Sequence, residues 1–492
     1  MFLSAAPLKT GVIVIRKMKE VRTMRENSKE KWLFEHASVL NAIVSLAIPT
    51  VIGQIILVIY NMADTFFIGM TDSDVNLTAV TICMPAFMVL SAISNLFGVG
   101  GASVISRALG QKNTKRAAGA SSFACWGCLS ATLLYMLLVC LFSDPFVNLL
   151  GGRYFEVHGQ SIKYLNMVVV LGGIGTSMNM LFAHMVRSEG HSLQASFGVA
   201  LGGIANIVLD PLFMFAILPR GSEVIGAGLA TALSNWLALL YFLIVLRRNR
   251  SHSALRFLPD SNSLDPAMIR DLLVTGLPAC LMTLCENISY AVLDHLMALY
   301  GIAAQAGIGV AKKVNMLAHC IVRGMAQGVL PLIAYNYASG NHRRMRKTVL
   351  TSTTISILLA AACMTVSLLI SRPLVSIFID DAAPSLDYGE AFLRILCLGG
   401  PFSACAYAFI SFFQAVGQGR KSLILALLRK GILDIPAMFL LGSLIPLYGI
   451  VWATPITDAV CFAVAVFTFA SFIHSPLVKL HNPASCEKPQ TA

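Results

Sequence analysis

Hydrophobic positions follow one another along this chain without the strict alternation of a half-buried strand or the polar stripe of a surface helix. They form continuous apolar blocks separated by short polar breaks. A block of about 20 apolar residues crosses the hydrocarbon core of a bilayer as an α-helix. Reading block by block predicts twelve spans, over 38–64, 76–104, 118–143, 161–186, 193–218, 225–247, 268–298, 303–337, 348–371, 387–416, 422–445 and 447–474. Continuous runs exclude a transmembrane β-barrel, whose strands alternate. The predicted fold class is an all-α polytopic membrane protein.

Composition agrees. Of 492 residues 57% are hydrophobic and only 12% charged, about half the charge of a soluble domain. The net charge of +12 is concentrated in loops on one side, which removes nucleic acid as its explanation. Arg107, Lys112, Lys115 and Arg116 follow span 2, Arg247, Arg248, Arg250 and Arg256 follow span 6, and Arg343, Arg344, Arg346 and Lys347 follow span 8. The opposite loops carry Asp72, Asp74, Asp144, Asp380, Asp381 and Asp387. By the positive-inside rule both termini are expected in the cytoplasm of a cell whose plasma membrane holds the protein. The first 37 residues read as a cytoplasmic tail without the apolar core of a signal peptide, with Met18 and Met24 competing with Met1 as its start. Cys125 and Cys128 form one C-x-x-C inside an apolar helix, where they read as small packing residues rather than a metal or redox pair.

The chain also repeats itself. "GVGGASVISRALGQKNTKR" from Gly98 overlays "GVLPLIAYNYASGNHRRMR" from Gly328, with Gly110 on Gly340; Pro49 falls on Pro278; "GAGLATALSN" from Gly226 matches the spacing of "GIVWATPITD" from Gly449. Six spans per repeat give both halves the same orientation, related by an axis along the membrane normal. The expected organisation is a tail over 1–37, a first lobe over 38–248, a basic linker over 249–267, a second lobe over 268–475 and a tail over 476–492.

Taken together, "LAIPTVIGQIILVIYNMADTFFIG" in span 1, "VRSEGH" ending span 4, "ANIVLDPLFMF" in span 5, "GLPACLMTLCENISYAVLD" in span 7 and "GMAQGVLPLIAYNYASGNHRRMRK" after span 8 resemble the multidrug and toxin extrusion (MATE) family of the MOP flippase superfamily. The resemblance covers about residues 38–475. It implies two pseudo-symmetric six-helix lobes around a V-shaped cavity that opens alternately to either side. It also implies a non-enzymatic, monomeric exporter of organic, mostly cationic compounds, including antibiotics, driven by Na⁺ or H⁺ antiport without a cofactor.

Ionisable residues inside spans are the functional candidates, because each costs about 2.5–3.5 kcal/mol or more at the bilayer centre. Asp64, in "D-T-x-x-x-G", matches the acid of the family's first helix, and Asn206 with Asp210 matches its N-x-x-x-D. Four residues apart, Asn206 and Asp210 share one helix face. Two carboxylates in one low-dielectric pocket resist being ionised together. Such a pocket can exchange a proton for a cation, and its oxygens equally suit Na⁺, the metal expected here if any. The bland alternative is a hydrogen-bonded pin between spans 1 and 5. Glu286 matches the acid on the seventh helix of the NorM-type branch, yet span 10 lacks that branch's aspartate, which puts a complete cation site in the second lobe in doubt. Asp64, Glu286 and Asp294 are the acids a cationic substrate would meet in the cavity. Lys312, Lys313 and Arg323 in span 8 are expected to pair with Glu286 or Asp294 or to snorkel to an interface, and Lys430 to neutralise Asp434 one turn away. Pro49, Pro211 and Pro278 are expected helix entry or hinge points.

No G-x-x-x-x-G-K-[ST], H-E-x-x-H or G-x-S-x-G occurs, so neither ATP hydrolysis nor a membrane hydrolase has visible chemistry. The alternative that remains is a flippase of lipid-linked saccharides from the same superfamily.

Overall fold

The computed structural model describes residues 32–71, 73–149, 155–258, 261–379 and 384–474, and every regular element among them is helical. Helices are what a lipid-embedded chain must form, since only they satisfy each backbone N–H and C=O within the segment. Asp72, Asp380, Asp381, nearly all of the first tail and the second tail lie outside the described residues.

The first lobe is built from α1 (Val39–Gly69), α2 (Asp74–Gly110), α3 (Thr114–Leu141), α4, α5 and α6 (Glu223–Asn249). α4 is a bent pair, Phe155–Leu165 and Gly173–Ser188, joined by a π-helical turn. α5 runs from Ser192 to Pro211 and ends in a π-helical turn, Leu212–Ile217. In the second lobe follow α7 (Pro266–Ala298), α8 (Ile302–Ala338), α9 (His342–Leu369), α10 (Pro384–Cys397 and Gly400–Ala415), α11 and α12 (Tyr448–Ile473). α11 consists of Gly419–Leu427, the π turn Leu428–Ile432 and Asp434–Leu444. Nine of these spans are single apolar helices, and α4 and α10 are pairs bent by 47°. α11 is the twelfth; its charged residues Arg420, Lys421, Arg429, Lys430 and Asp434 set it apart from the others in apolarity.

The lobes repeat in detail. α2 and α8 are each 37 residues long, about 55 Å of helix, so both project well beyond the bilayer core. Asn113 and Asn341 cap α3 and α9, each side chain accepting from the backbone N–H three residues on, at 3.0 and 3.1 Å. Immediately before each cap stands a left-handed residue, Lys112 (φ 57°) in one lobe and Gly340 (φ 80°) in the other. The structure therefore corrects the overlay of Gly110 on Gly340: at this turn the register is set by the caps, and Lys112 is the true counterpart of Gly340.

The lobes meet through their helix starts. Val39, Ala42, Ile43, Leu46 and Ala47 of α1 are buried with Val329, Ile333, Met345, Phe409 and Phe469 of the second lobe. Conversely Met268 and Leu272 of α7 are buried in the first lobe's core with Ile105, Leu181 and Phe242. The closest approach is between α2 and α7. A Cβ on Gly276 would lie 1.8 Å from the Leu96 carbonyl oxygen, and one on Gly100 2.4 Å from that of Leu272. Only glycine admits such backbone contact. This seal lies toward the end that carries the basic loops.

Candidate functional site

Asp64 sits in the last two turns of α1, beyond the stretch buried with the second lobe. This half of α1 packs on α5, where Gly203 lets Ile56 and Tyr60 approach closely. Asn206 donates to Asp210 Oδ1 at 3.1 Å and lies 3.5 Å from the Thr231 hydroxyl of α6. The Asp64 and Asp210 carboxylates lie within electrostatic range of each other and of the Tyr60 and Tyr164 hydroxyls. All three site residues are buried, and one oxygen of each, Asp64 Oδ1, Asn206 Oδ1 and Asp210 Oδ2, has no hydrogen-bond partner among the described residues. Buried acceptors are normally satisfied. Three unsatisfied ones with no base bonded to them form a cluster that lacks positive charge. Carboxylate and amide oxygens of this kind are hard ligands for Na⁺ and equally a place for a proton.

Pro49 lies within α1, inside the stretch packed on the second lobe, which continues through Val51 to Gln54, and well before Asp64. Its missing N–H weakens the helix there. Pro211 directly follows Asp210, at the point where α5 changes to π-helical winding. Pro278 lies inside α7, two residues past Gly276.

The second lobe repeats this constellation with one exchange. Tyr290 and Asp294 lie one residue beyond the positions that the Pro49–Pro278 overlay gives for Tyr60 and Asp64, and Thr231 has a counterpart in Thr454. Laying "ANIVLDPLFMF" on "RKGILDIPAMF" places Asp210 on Asp434 and Asn206 on Lys430. Where the first lobe has an amide, the second carries an ammonium. Lys430 donates to Asp434 Oδ2 at 2.9 Å, and the same carboxylate accepts from Ser289 (2.5 Å), Thr454 (3.2 Å) and Thr457 (3.1 Å). Asp294 pairs with Lys312, which with Lys430 flanks the Tyr290 ring at 5.4 and 5.6 Å. Arg429 pairs with Asp458 at 2.8 Å and lies 4.2 Å from the Tyr407 ring centroid.

Between the lobes lies a cavity with about 700 Å³ of empty space, lined by α2, α4, α7, α8 and α10. Glu286 lines it, paired to Arg323 at 2.6 Å, and Tyr407 of α10 closes the pair by donating to Glu286 and accepting from Arg323, both at 3.1 Å. The expected pairing of span 8 bases with Glu286 and Asp294 is thus found. Asp64 and Asp294 are not among the residues lining this cavity. Among the lining residues that went unsuspected as site residues are Tyr407, which the sequence offers only as a polar ring in an apolar helix, and Arg187, seen only as part of "VRSEGH".

Comparison with known proteins places this architecture. The chain matches the MatE family twice, over residues 49–212 and 278–440, one match per lobe. It is 30% identical over 443 residues to the multidrug export protein MepA of Staphylococcus haemolyticus, covering 89% of this chain and 95% of that one. MepA of Staphylococcus aureus strain MRSA252 is 30% identical over 440 residues with the same coverage. Among solved structures, a MATE transporter in its straight conformation superposes with a TM-score of 0.83 at 23% identity, covering 91% of this chain and 98% of that one. The outward-facing form of a multidrug resistance MATE transporter of the MOP superfamily gives 0.82 at 23% identity with the same coverage. With its twelve helices in two repeated lobes and the family pattern matched once in each, this chain is a multi-pass membrane protein of the MATE family.

Proposed function

We propose that the chain is a secondary active multidrug exporter. It moves organic, mostly cationic compounds out of the cell by antiport with Na⁺ or H⁺ through alternating access, with both termini in the cytoplasm. The observation that carries this reading is the trio of unsatisfied buried oxygens on Asp64, Asn206 and Asp210. A cation entering from outside offsets carboxylate charge in that trio and tightens the outer half of α1 against α5. The inner half of α1 is bound to the second lobe, so a change of angle at Pro49 transmits the event to the seal between lobes. Release of the cation inward reverses it. In the cavity, Glu286 is the acid a cationic cargo engages, by displacing Arg323. Chain similarity to MepA proteins supports export of drugs over flipping of lipid-linked saccharides.

The test is ethidium transport into everted vesicles under an imposed pH gradient and, separately, a Na⁺ gradient. One gradient is expected to drive uptake in the wild type, and Asp64→Asn to abolish it while the protein folds normally. Full transport by Asp64→Asn would reduce the site to a pin between α1 and α5.

A further inference from the structure

The central cavity contains a base that no acid answers. Arg187, in the last turn of α4, is 4% exposed and lines the cavity. Its Nε is buried without a partner, and the guanidinium makes no hydrogen bond or ion pair with any described residue. The acid two residues on, Glu189, is turned away and accepts from Ser253 Oγ (2.8 Å) and the Ala254 N–H (2.7 Å). A second donor facing the same cavity is also idle. Gln414 of α10 is 5% exposed, and its side-chain amide nitrogen has no partner. Burying a guanidinium and an amide without acceptors is costly, so both are arranged for something that enters the cavity.

Charge says what. The cavity's ionic lining is Arg187, Arg323 and Glu286, and Glu286 is already balanced by Arg323. Arg187 leaves one positive charge unmatched. A cargo with only a cationic group leaves that charge unanswered. A cargo that also carries a carboxylate satisfies it, because a planar guanidinium grips a carboxylate through two parallel hydrogen bonds.

We propose that Arg187, supported by Gln414, forms an anion subsite in the cavity that holds the carboxylate of amphipathic cargo, so that zwitterionic aromatic compounds are preferred over their cationic esters. This rests on the exporter reading and refines it.

Rhodamine 110 and rhodamine 123 separate the two readings, since they share one aromatic amine system and differ only by a methyl ester that masks the carboxylate. Binding of each to the purified full-length protein in nanodiscs is read by fluorescence polarisation. The wild type is expected to bind rhodamine 110 at least tenfold tighter. Arg187→Gln should erase that preference by weakening rhodamine 110 binding at least tenfold, while Arg187→Lys retains part of it. If the wild type binds both dyes equally, or favours the ester, the subsite is refuted and the exporter reading stands. If neither dye binds, both fall. Should Arg187→Gln fail to fold, Arg187→Lys decides, because an unchanged preference without the guanidinium fork refutes the assignment.

Discussion

Gly276→Ala tests how tightly the two lobes are sealed. The added methyl would lie 1.8 Å from the Leu96 carbonyl oxygen. Real Cβ contacts essentially never fall below 3.0 Å, so α2 and α7 must part locally by at least 3.0 − 1.8 = 1.2 Å. The obstacle is backbone, not the tip of a flexible side chain, so it cannot swing aside. A gap of 0.5–1 Å already forfeits about a quarter to a half of each dispersion contact, and overpacked sites cost roughly 1–3 kcal/mol. At about 2 kcal/mol the ratio of sealed to unsealed molecules falls about 30-fold, enough to bring a 20:1 equilibrium near 1:1. The assay is electron–electron distance measurement between spin labels at Lys115 and Arg346, exposed loop-side positions in opposite lobes, in a cysteine-free background. Gly276→Ala should add a longer distance population and slow dye export. Gly309→Ala in α8, whose added methyl meets nothing within 4 Å, is the silent control. An unchanged distance distribution with normal export would show that the seal does not rest on this contact.

Asp434→Asn should lower stability by about 3–5 kcal/mol, because it removes the charge paired to buried Lys430; thermal unfolding in detergent reads this, and a double change of Lys430 and Asp434 to Met and Leu should recover much of the loss. Arg344→Ala should free the segment before α1, since Arg344 donates to the carbonyls of Leu33 (3.0 Å), Phe34 (2.9 Å) and Ala37 (2.6 Å); hydrogen exchange over residues 33–37 is expected to rise sharply with little change elsewhere. Asp210→Asn should uncouple transport from the ion gradient as Asp64→Asn does, with dye binding in detergent retained; intact coupling would remove Asp210 from the site.

Most of the fold was legible because the bilayer imposes it: apolar blocks of spanning length must be helices, and charge placement orders the loops. The bends in α4 and α10 carry a local signal, Gly172-Gly173 and Gly399-Gly400-Pro401, but apolarity runs through both breaks and masks it. The pairing of Lys430 with Asp434 could be read from one helical turn of spacing, and that of Arg323 with Glu286 from charge economy within spans. Arg187 was hidden because its role depends on what fails to face it, and an absent partner is a property of three dimensions. The equivalence of Lys430 with Asn206 was written in the sequence all along, in the overlay of "ANIVLDPLFMF" on "RKGILDIPAMF". It gained meaning only once both segments were seen as matching cages.

The exchange of amide for ammonium bears on voltage. In the second lobe's interior Glu286, Asp294, Asp434 and Asp458 are each matched by Arg323, Lys312, Lys430 and Arg429. These four pairs sum to zero, so an electric field exerts no net pull on the pairs themselves, Lys313 of α8 standing outside them. In the first lobe Asp64 and Asp210 have no base bonded to them among the described residues, so the charge there changes with the proton or cation they hold. A transmembrane potential acts at about 2.3 kcal/mol per elementary charge per 100 mV. On the proposed antiport it therefore has its handle at Asp64 and Asp210 and none on the four paired acids, so voltage is expected to act on the cycle through the first lobe.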